Sequence, residues 1–168
     1  MKTAIIYASK HGTTEKVAKT IADKLRKTAE TELFSLKNNP NPNISEFDQI
    51  ILGSSIYAGQ SSKKMKIFCK NNESILLQKK IGLFICGMHP NKAEQEKELK
   101  EAYPEILQKN ATAIEFLGGE FLFEKMNFFE RFIARMIAKT KISVHQIDWS
   151  GIDNFVTKLW VNKASKMR

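Results

Sequence analysis

Cysteine is scarce: the 168 residues contain two, Cys69 and Cys86. Their spacing suits neither a metal-ligand pair nor a disulfide framework, so reduced thiols in a reducing compartment are expected. Cys86 reads as a small buried strand residue rather than a redox thiol. Four prolines and eight glycines are too few for a collagen-like or low-complexity chain. No apolar run approaches the roughly 20 residues that span a bilayer, and the amino terminus opens into a strand pattern instead of a leader pattern. A cytoplasmic protein is therefore expected. No G-x-x-x-x-G-K-[ST] loop and no G-x-G-x-x-G fingerprint occurs, which argues against nucleoside triphosphates and dinucleotides. No spacing suggests a hydrolytic triad or a metal site. Acidic residues are in deficit, 18 against 27 Lys and Arg, for a net charge of +9. That surplus favours anionic partners, namely nucleic acid, acidic lipid or carboxylate-bearing substrates, or it is solvated helix face.

What the chain does have is alternation. Apolar runs at Thr3 to Ala8, Thr31 to Leu36, Phe47 to Leu52, Ile81 to Cys86 and Ala113 to Leu117 read as strands, with a further short strand at Val144 to Ile147. Gly53-Ser54-Ser55 is expected to break the third run, and Gly118-Gly119 to stop the fifth. Helical spacing lies between the runs. Val17, Ile21 and Leu25 form one stripe; Met65, Phe68 and Cys69 share a face within a helix from about Ser61 to Leu76. The charged segment from Asn91 to Leu107 is expected to turn Leu99, Tyr103, Ile106 and Leu107 to the core, with Pro104 interrupting it. A last helix begins near Trp149, capped by Asp148 or Ser150, with Ile152, Phe155, Val156 and Leu159 as its stripe. Strands alternating with helices over one domain of this length predict an α/β fold, a parallel sheet covered on both faces. Ligands in such sheets bind at the loops after the strand carboxyl ends.

Three of those loops carry candidate chemistry. After the first strand, Ser9-Lys10-His11-Gly12-Thr13-Thr14 offers hydroxyls, a glycine that permits close backbone approach, and the unpaired amides and positive dipole end of the next helix. This is a phosphate cradle, or else a capped helix start with Thr13 or Thr14 as the cap. Hydrogen bonds to a phosphate dianion contribute roughly 1.5–3 kcal/mol each, against roughly 0.3–1 kcal/mol for the dipole, so hydroxyls and amides would dominate. After the third strand comes Ser54-Ser55-Ile56-Tyr57-Ala58-Gly59, in which Tyr57 is either a stacking platform or an ordinary loop aromatic. After the fourth comes Cys86-Gly87-Met88-His89-Pro90, in which His89 is either a donor to ligand or a turn residue. His145 is expected to be structural.

The first loop resembles the phosphate loop of flavodoxins, in which hydroxyl residues, a glycine and a threonine recur; Ser9, Gly12 and Thr14 match, and His11 stands where a hydroxyl is common. The resemblance implies a doubly wound five-stranded sheet of order 2-1-3-4-5 and a non-covalently bound flavin mononucleotide, FMN. It further implies that the second loop wraps the isoalloxazine, with Tyr57 stacking and Ser54, Ser55, Ile56, Ala58 and Gly59 beside it. Cys86, Gly87, Met88 and His89 would border the opposite edge. The positive charge should favour the anionic reduced flavin and give a less negative hydroquinone couple than an acidic carrier has.

An extra segment, about 121–141, follows the fifth strand. Phe128, Phe129, Phe132, Ile133, Met136 and Ile137 form a wide apolar stripe, and Arg131, Arg135 and Lys139 a basic ridge. A core helix with a solvated face is the simpler expectation. An interfacial helix, with cations on acidic headgroups and aromatics at the acyl boundary, is the sharper one and would put the protein peripherally on the inner face of the membrane. Phe129-Glu130-Arg131-Phe132-Ile133, then Asp148-Trp149 and Phe155, resemble features of the menaquinone-dependent protoporphyrinogen IX dehydrogenase family. Thr140-Lys141-Ile142-Ser143 replaces a Gly-rich stretch of that family, and Tyr57 stands one place earlier than its usual aromatic. The resemblance implies oxidation of a porphyrinogen through FMN with a quinone acceptor. The alternatives are a soluble electron carrier, disfavoured by the basic charge, and an NAD(P)H-dependent quinone or azo reductase. A nucleic-acid module is least favoured, because the basic residues are dispersed.

Overall fold

In the computed structural model, which describes residues 1–121, 123–138 and 144–161, the chain begins with β1 (Lys2–Ala8), α1 (Thr13–Leu25), β2 (Glu30–Ser35), β3 (Gln49–Tyr57) and β4 (Gln60–Ser61). It continues through α2 (Lys63–Asn71), α3 (Glu73–Leu76), β5 (Lys80–Cys86), α4 (Lys92–Ala102), α5 (Glu105–Asn110) and β6 (Ala111–Phe116). It ends with β7 (Gly118–Phe121), α6 (Phe128–Ala138), β8 (Val144–Ile147) and α7 (Trp149–Val161). The main sheet has the order β2-β1-β3-β5-β6 with every neighbour parallel, which is the expected 2-1-3-4-5 once β4, an antiparallel partner of the end of β3, is set aside. Alternation along β1 sends Ala4, Ile6 and Ala8 to one face and Ile5 and Tyr7 to the other. The first face packs on Met65, Phe68, Leu76, Ala102 and Leu107 from α2 to α5; the second packs on the stripes of α1 and α7. Each such side chain contributes about 1.5–3 kcal/mol by leaving water.

Four local expectations change. Gly53 does not break β3, because the Phe84 ring occupies the space its side chain would fill; a Cβ there would stand 2.1 Å from Phe84 Cζ. Gly118 does not simply end β6: at a φ of +68°, with its absent Cβ position 1.9 Å from the Gln146 carbonyl oxygen, it lets the chain swing into the separate two-stranded ribbon β7–β8. The helix expected from Ser61 to Leu76 is divided at Asn72, whose side-chain amide donates to the Phe68 carbonyl at 2.9 Å. Pro104 does separate α4 from α5, and the new register leaves Ile106 43% exposed instead of buried. Asp148, not Ser150, caps α7, its Oδ1 accepting from the Gly151 amide at 2.7 Å.

The insertion departs from the expectation of a plain core helix at four described side chains. In α6, Phe128, Phe129, Phe132 and Met136 are 87%, 68%, 55% and 67% exposed, whereas Glu130 is only 8% exposed. Glu130 faces inward. Asn127 and Glu130 close a reciprocal cap, Glu130 N donating to Asn127 Oδ1 at 2.9 Å and Asn127 N to Glu130 Oε2 at 3.0 Å. Lys139 and residues 140–143 lie outside the described residues, as do the side chains of Ile133 and Ile137.

Candidate functional site

Strand order reverses at β1, since the chain runs outward to β2 on one side and to β3 on the other, so the loops at their carboxyl ends diverge and leave a crevice. A cavity of about 360 Å³ opens there, inside the range of roughly 300–1,000 Å³ usual for small-molecule sites. Ser9, Lys10, His11, Thr13 and Thr14 line one end. Ser55, Ile56, Tyr57, Ala58 and Gly59 line a second wall, and Cys86, Gly87, Met88 and His89 a third. The three loops singled out from the sequence thus surround one space. Gly12 and Ser54 do not line it. Ser54 is buried in the sheet, its Oγ accepting from the Ser62 amide at 3.2 Å and so tying β3 to the start of α2.

At the first loop the backbone does the shaping. Gly12 stands at φ +101° immediately before α1, a conformation that strains any residue with a Cβ, and its amide donates to Ser9 Oγ at 3.0 Å. Neither Thr13 nor Thr14 is the cap of α1. Thr13 Oγ1 instead donates to Glu120 Oε2 at 3.4 Å, and Thr14 Oγ1 is buried without a hydrogen-bond partner among the described residues, beside the Cys86 thiol. Burial pushes both thiols up to about 12, so neither is a thiolate at neutral pH. His11 Nε2 is likewise buried without a hydrogen-bond partner among the described residues, 3.6 Å from Glu130 Oε2. Burial, aided by Lys10, lowers the imidazole below its ordinary value despite the pull of Glu130, which keeps the ring neutral at pH 7.

The second wall depends on a tight hairpin. Tyr57 pairs with Gln60 across Ala58 and Gly59, at φ 48° and 72°, the double left-handed turn that matches strand twist. Tyr57 Oη is buried without a hydrogen-bond partner among the described residues, and burial raises its phenol. Lys10 Nζ lies 3.3 Å from the centre of the Tyr57 ring and 2.7 Å from Glu130 Oε1, so the first loop, the second loop and α6 meet at one ammonium. At the third wall His89 Nδ1 accepts from the Asn91 amide at 3.2 Å, leaving Nε2 as the ring's donor when neutral.

Sequence reasoning missed Glu94, Lys97, Glu98, Glu101, Gly119, Glu120 and Met126, all of which line the cavity. Glu94, Glu98 and Glu101 recur at helical spacing on α4, so their shared face was legible; its direction was not. Glu120 comes from β7 and takes Lys16 Nζ at 2.9 Å and His145 Nδ1 at 2.7 Å on the same oxygen. Burial alone would raise this carboxyl, but those hydrogen bonds hold it below the ordinary carboxylate value. The Glu120–His145 pair joins β7 to β8, and Lys16 fastens that ribbon to α1.

Comparison with known proteins agrees with this geometry. A family model described as a flavodoxin domain matches residues 4–148. The chain belongs to the flavodoxin domain family. Among solved flavodoxins, a short-chain flavodoxin associated with a non-canonical PDU bacterial microcompartment superposes with a TM-score of 0.62 over 98% of this chain and 99% of its own, at 14% identity. Oxidised flavodoxin 1 from Bacillus cereus gives a TM-score of 0.53 and 27% identity over 70% of this chain and 83% of its own. Among curated relatives, the protoporphyrinogen IX dehydrogenase [quinone] of Escherichia coli K12 is 19% identical over 171 residues, spanning 95% of this flavodoxin-domain chain and 94% of its own. None of the described helices is long and apolar enough to cross a membrane.

Proposed function

We propose that the cavity binds FMN and that the chain is an FMN-dependent oxidoreductase taking electrons from protoporphyrinogen IX and passing them to a quinone. One observation carries the reading: buried polar atoms at the first loop with no hydrogen-bond partner among the described residues, Thr14 Oγ1 and His11 Nε2, share one cavity with an aromatic wall at Tyr57. A ligand with an anionic tail and a flat ring satisfies both ends, and flavodoxins are the type case of FMN bound at such a switch point. The residues fit the group. Ser9, Lys10, Thr13 and Thr14, with the first amides of α1 and the turn at Gly12, would hold the phosphate. Ser55 to Gly59 would wrap the ring on one side, with Gly87, Met88 and His89 on the other. When bound, FMN supplies the two-electron chemistry, and the protein supplies position and electrostatics.

The dehydrogenase reading, rather than a soluble carrier, is supported by the near-complete overlap with the E. coli enzyme and by the insertion. The exposed aromatics of α6 beside Arg131 and Arg135 suit the headgroup boundary of an anionic bilayer, where a quinone would be met. A net charge of +9 works in the same direction. The test is twofold. Purified protein should be yellow and release FMN on denaturation, and the loaded protein should turn over protoporphyrinogen IX with a menaquinone acceptor. Colourless protein that takes up no FMN removes the whole reading. FMN-loaded protein without turnover, yet reduced rapidly by a ferredoxin-type reductase, transfers the assignment to the carrier.

A further inference from the structure

Among the charged groups of the cavity that are assigned no part in holding a flavin, Glu98 is the most deeply placed on α4. Glu98 sits on the inward side of α4, in line with Ala102, where the helical pattern calls for an apolar residue. It is 7% exposed, and its Oε2 is buried without a hydrogen-bond partner among the described residues. A buried carboxylate oxygen left unpaired costs a few kcal/mol, and such departures from pattern are retained where function uses them. The opposite end of the cavity is built for an anion; Glu98 is built for a donor of hydrogen.

We propose that Glu98 is the proton-exchanging side chain of this site, taking the N–H proton of the organic donor as that donor is oxidised. The proposal rests on the oxidoreductase reading above. Each oxidation of a pyrrolic donor removes two electrons and two hydrogens. The C–H bond breaks and its hydrogen departs with the electron pair to the flavin. The N–H bond breaks, its electrons remain as the new C=N π bond, and its proton forms an O–H bond on Glu98. In the quinone half-reaction the acceptor gains that electron pair with one hydrogen, and Glu98 returns its proton to complete the hydroquinone. Donor plus quinone gives oxidised donor plus hydroquinone, and the carboxylate is restored.

The surroundings are arranged for this exchange. Burial raises the Glu98 carboxyl above its ordinary value, His89 opposes the rise, and Glu94 and Glu101 add to it. Lys97 stands on the same helix, and Tyr57 and Cys86 reach the cavity from β3 and β5. From β4 come only the uncharged Gln60 and Ser61, and from β6 the apolar Ile114 and Phe116. His89 presents Nε2, its donor nitrogen when neutral, from the loop after β5.

The experiment compares wild type, Glu98→Gln, Glu98→Asp and the exposed control Glu96→Gln, all loaded with FMN. Fluorescence quenching first measures FMN affinity, expected to be within about twofold in all four proteins. Steady-state turnover against pH should then show an ascending limb in wild type and Glu96→Gln. Glu98→Gln should lose the limb and about 100-fold or more in kcat, and Glu98→Asp should retain the limb at reduced rate. A reduced-minus-oxidised infrared spectrum should show a carboxylic acid band gained in wild type and absent from Glu98→Gln. Unchanged kcat and pH profile in Glu98→Gln overturns the proposal. If Glu98→Gln fails to fold, loss of the limb in Glu98→Asp overturns it instead. Wild type that binds no FMN sinks the flavin reading, a result distinct from either.

Discussion

In α1 the stripe Val17, Ile21 and Leu25 is wholly buried against the sheet, whereas in α6 four large apolar side chains face outward and a carboxylate faces in. The two helices meet the same loop from opposite sides. α1 presents its amino terminus to residues 9–14, and α6 reaches those residues through Glu130, which grips Lys10 and lies beside His11. Hydrophobic burial holds the first in place; in the second, Glu130 makes polar contacts with the first loop. The difference teaches that the insertion reaches that loop through a carboxylate while four of its large apolar side chains stay exposed.

The comparison breaks most sharply at the centre of the sheet. Phe84→Ala should lower stability by about 3–5 kcal/mol, read from urea unfolding, because the ring fills the space above Gly53 and meets Phe155 edge-on. Gly118→Ala should cost about 1–3 kcal/mol. There a side chain would collide with the Gln146 carbonyl, and hydrogen exchange should rise across β7 and β8 while β1 and β5 stay protected. Replacing Phe128 and Phe132 together by Ser should leave the unfolding midpoint unchanged. It should weaken sedimentation with anionic vesicles about tenfold, about 1.4 kcal/mol; vesicle binding unchanged in that variant would discard the interfacial role of α6.

A subtler test uses pH. Burial pushes the Glu130 carboxyl up, but hydrogen bonds from Lys10 and the Asn127 amide outweigh it and hold the group below its ordinary value in the folded protein. Its stabilising contribution is therefore complete above the ordinary carboxylate value and is lost as pH falls through the depressed folded value. Hydrogen exchange at residues 126–132 should accelerate over that acidic window, and Glu130→Gln should flatten the response at a cost of about 1 kcal/mol at neutral pH. The smallest effect is expected at Ala58. Its φ of 48° is uncomfortable for an L-residue, so Ala58→Gly should raise the unfolding free energy by about 0.5 kcal/mol, net of glycine's greater freedom in the unfolded chain.

Much of this was readable from local order along the chain. Strand and helix identity followed from periodicity, Pro104 divided its helix, and the loops after β1, β3 and β5 were marked by hydroxyls, glycines and aromatics before any coordinates. The exceptions share a cause. Gly53 and Gly118 look like breakers in one dimension; that Phe84 covers the first and Gln146 abuts the second depends on segments far away in sequence. Ser54 belongs to a loop motif by position but to the sheet by hydrogen bonding.

Periodicity and turn chemistry are properties of neighbours in sequence, so they settled the α/β alternation, the buried stripes and the anion-seeking loop after β1. Which face of an amphipathic helix turns inward, and which distant carboxylates gather at a cavity, depends on contacts between segments. α6 carries an apolar stripe as clear as that of α1, yet Phe128, Phe129, Phe132 and Met136 are exposed while Glu130 is buried against Lys10. Glu98 and Glu120 entered the cavity because packing of α4 and of the β7–β8 ribbon carried them there, and no local pattern encodes where a folded neighbour will stand.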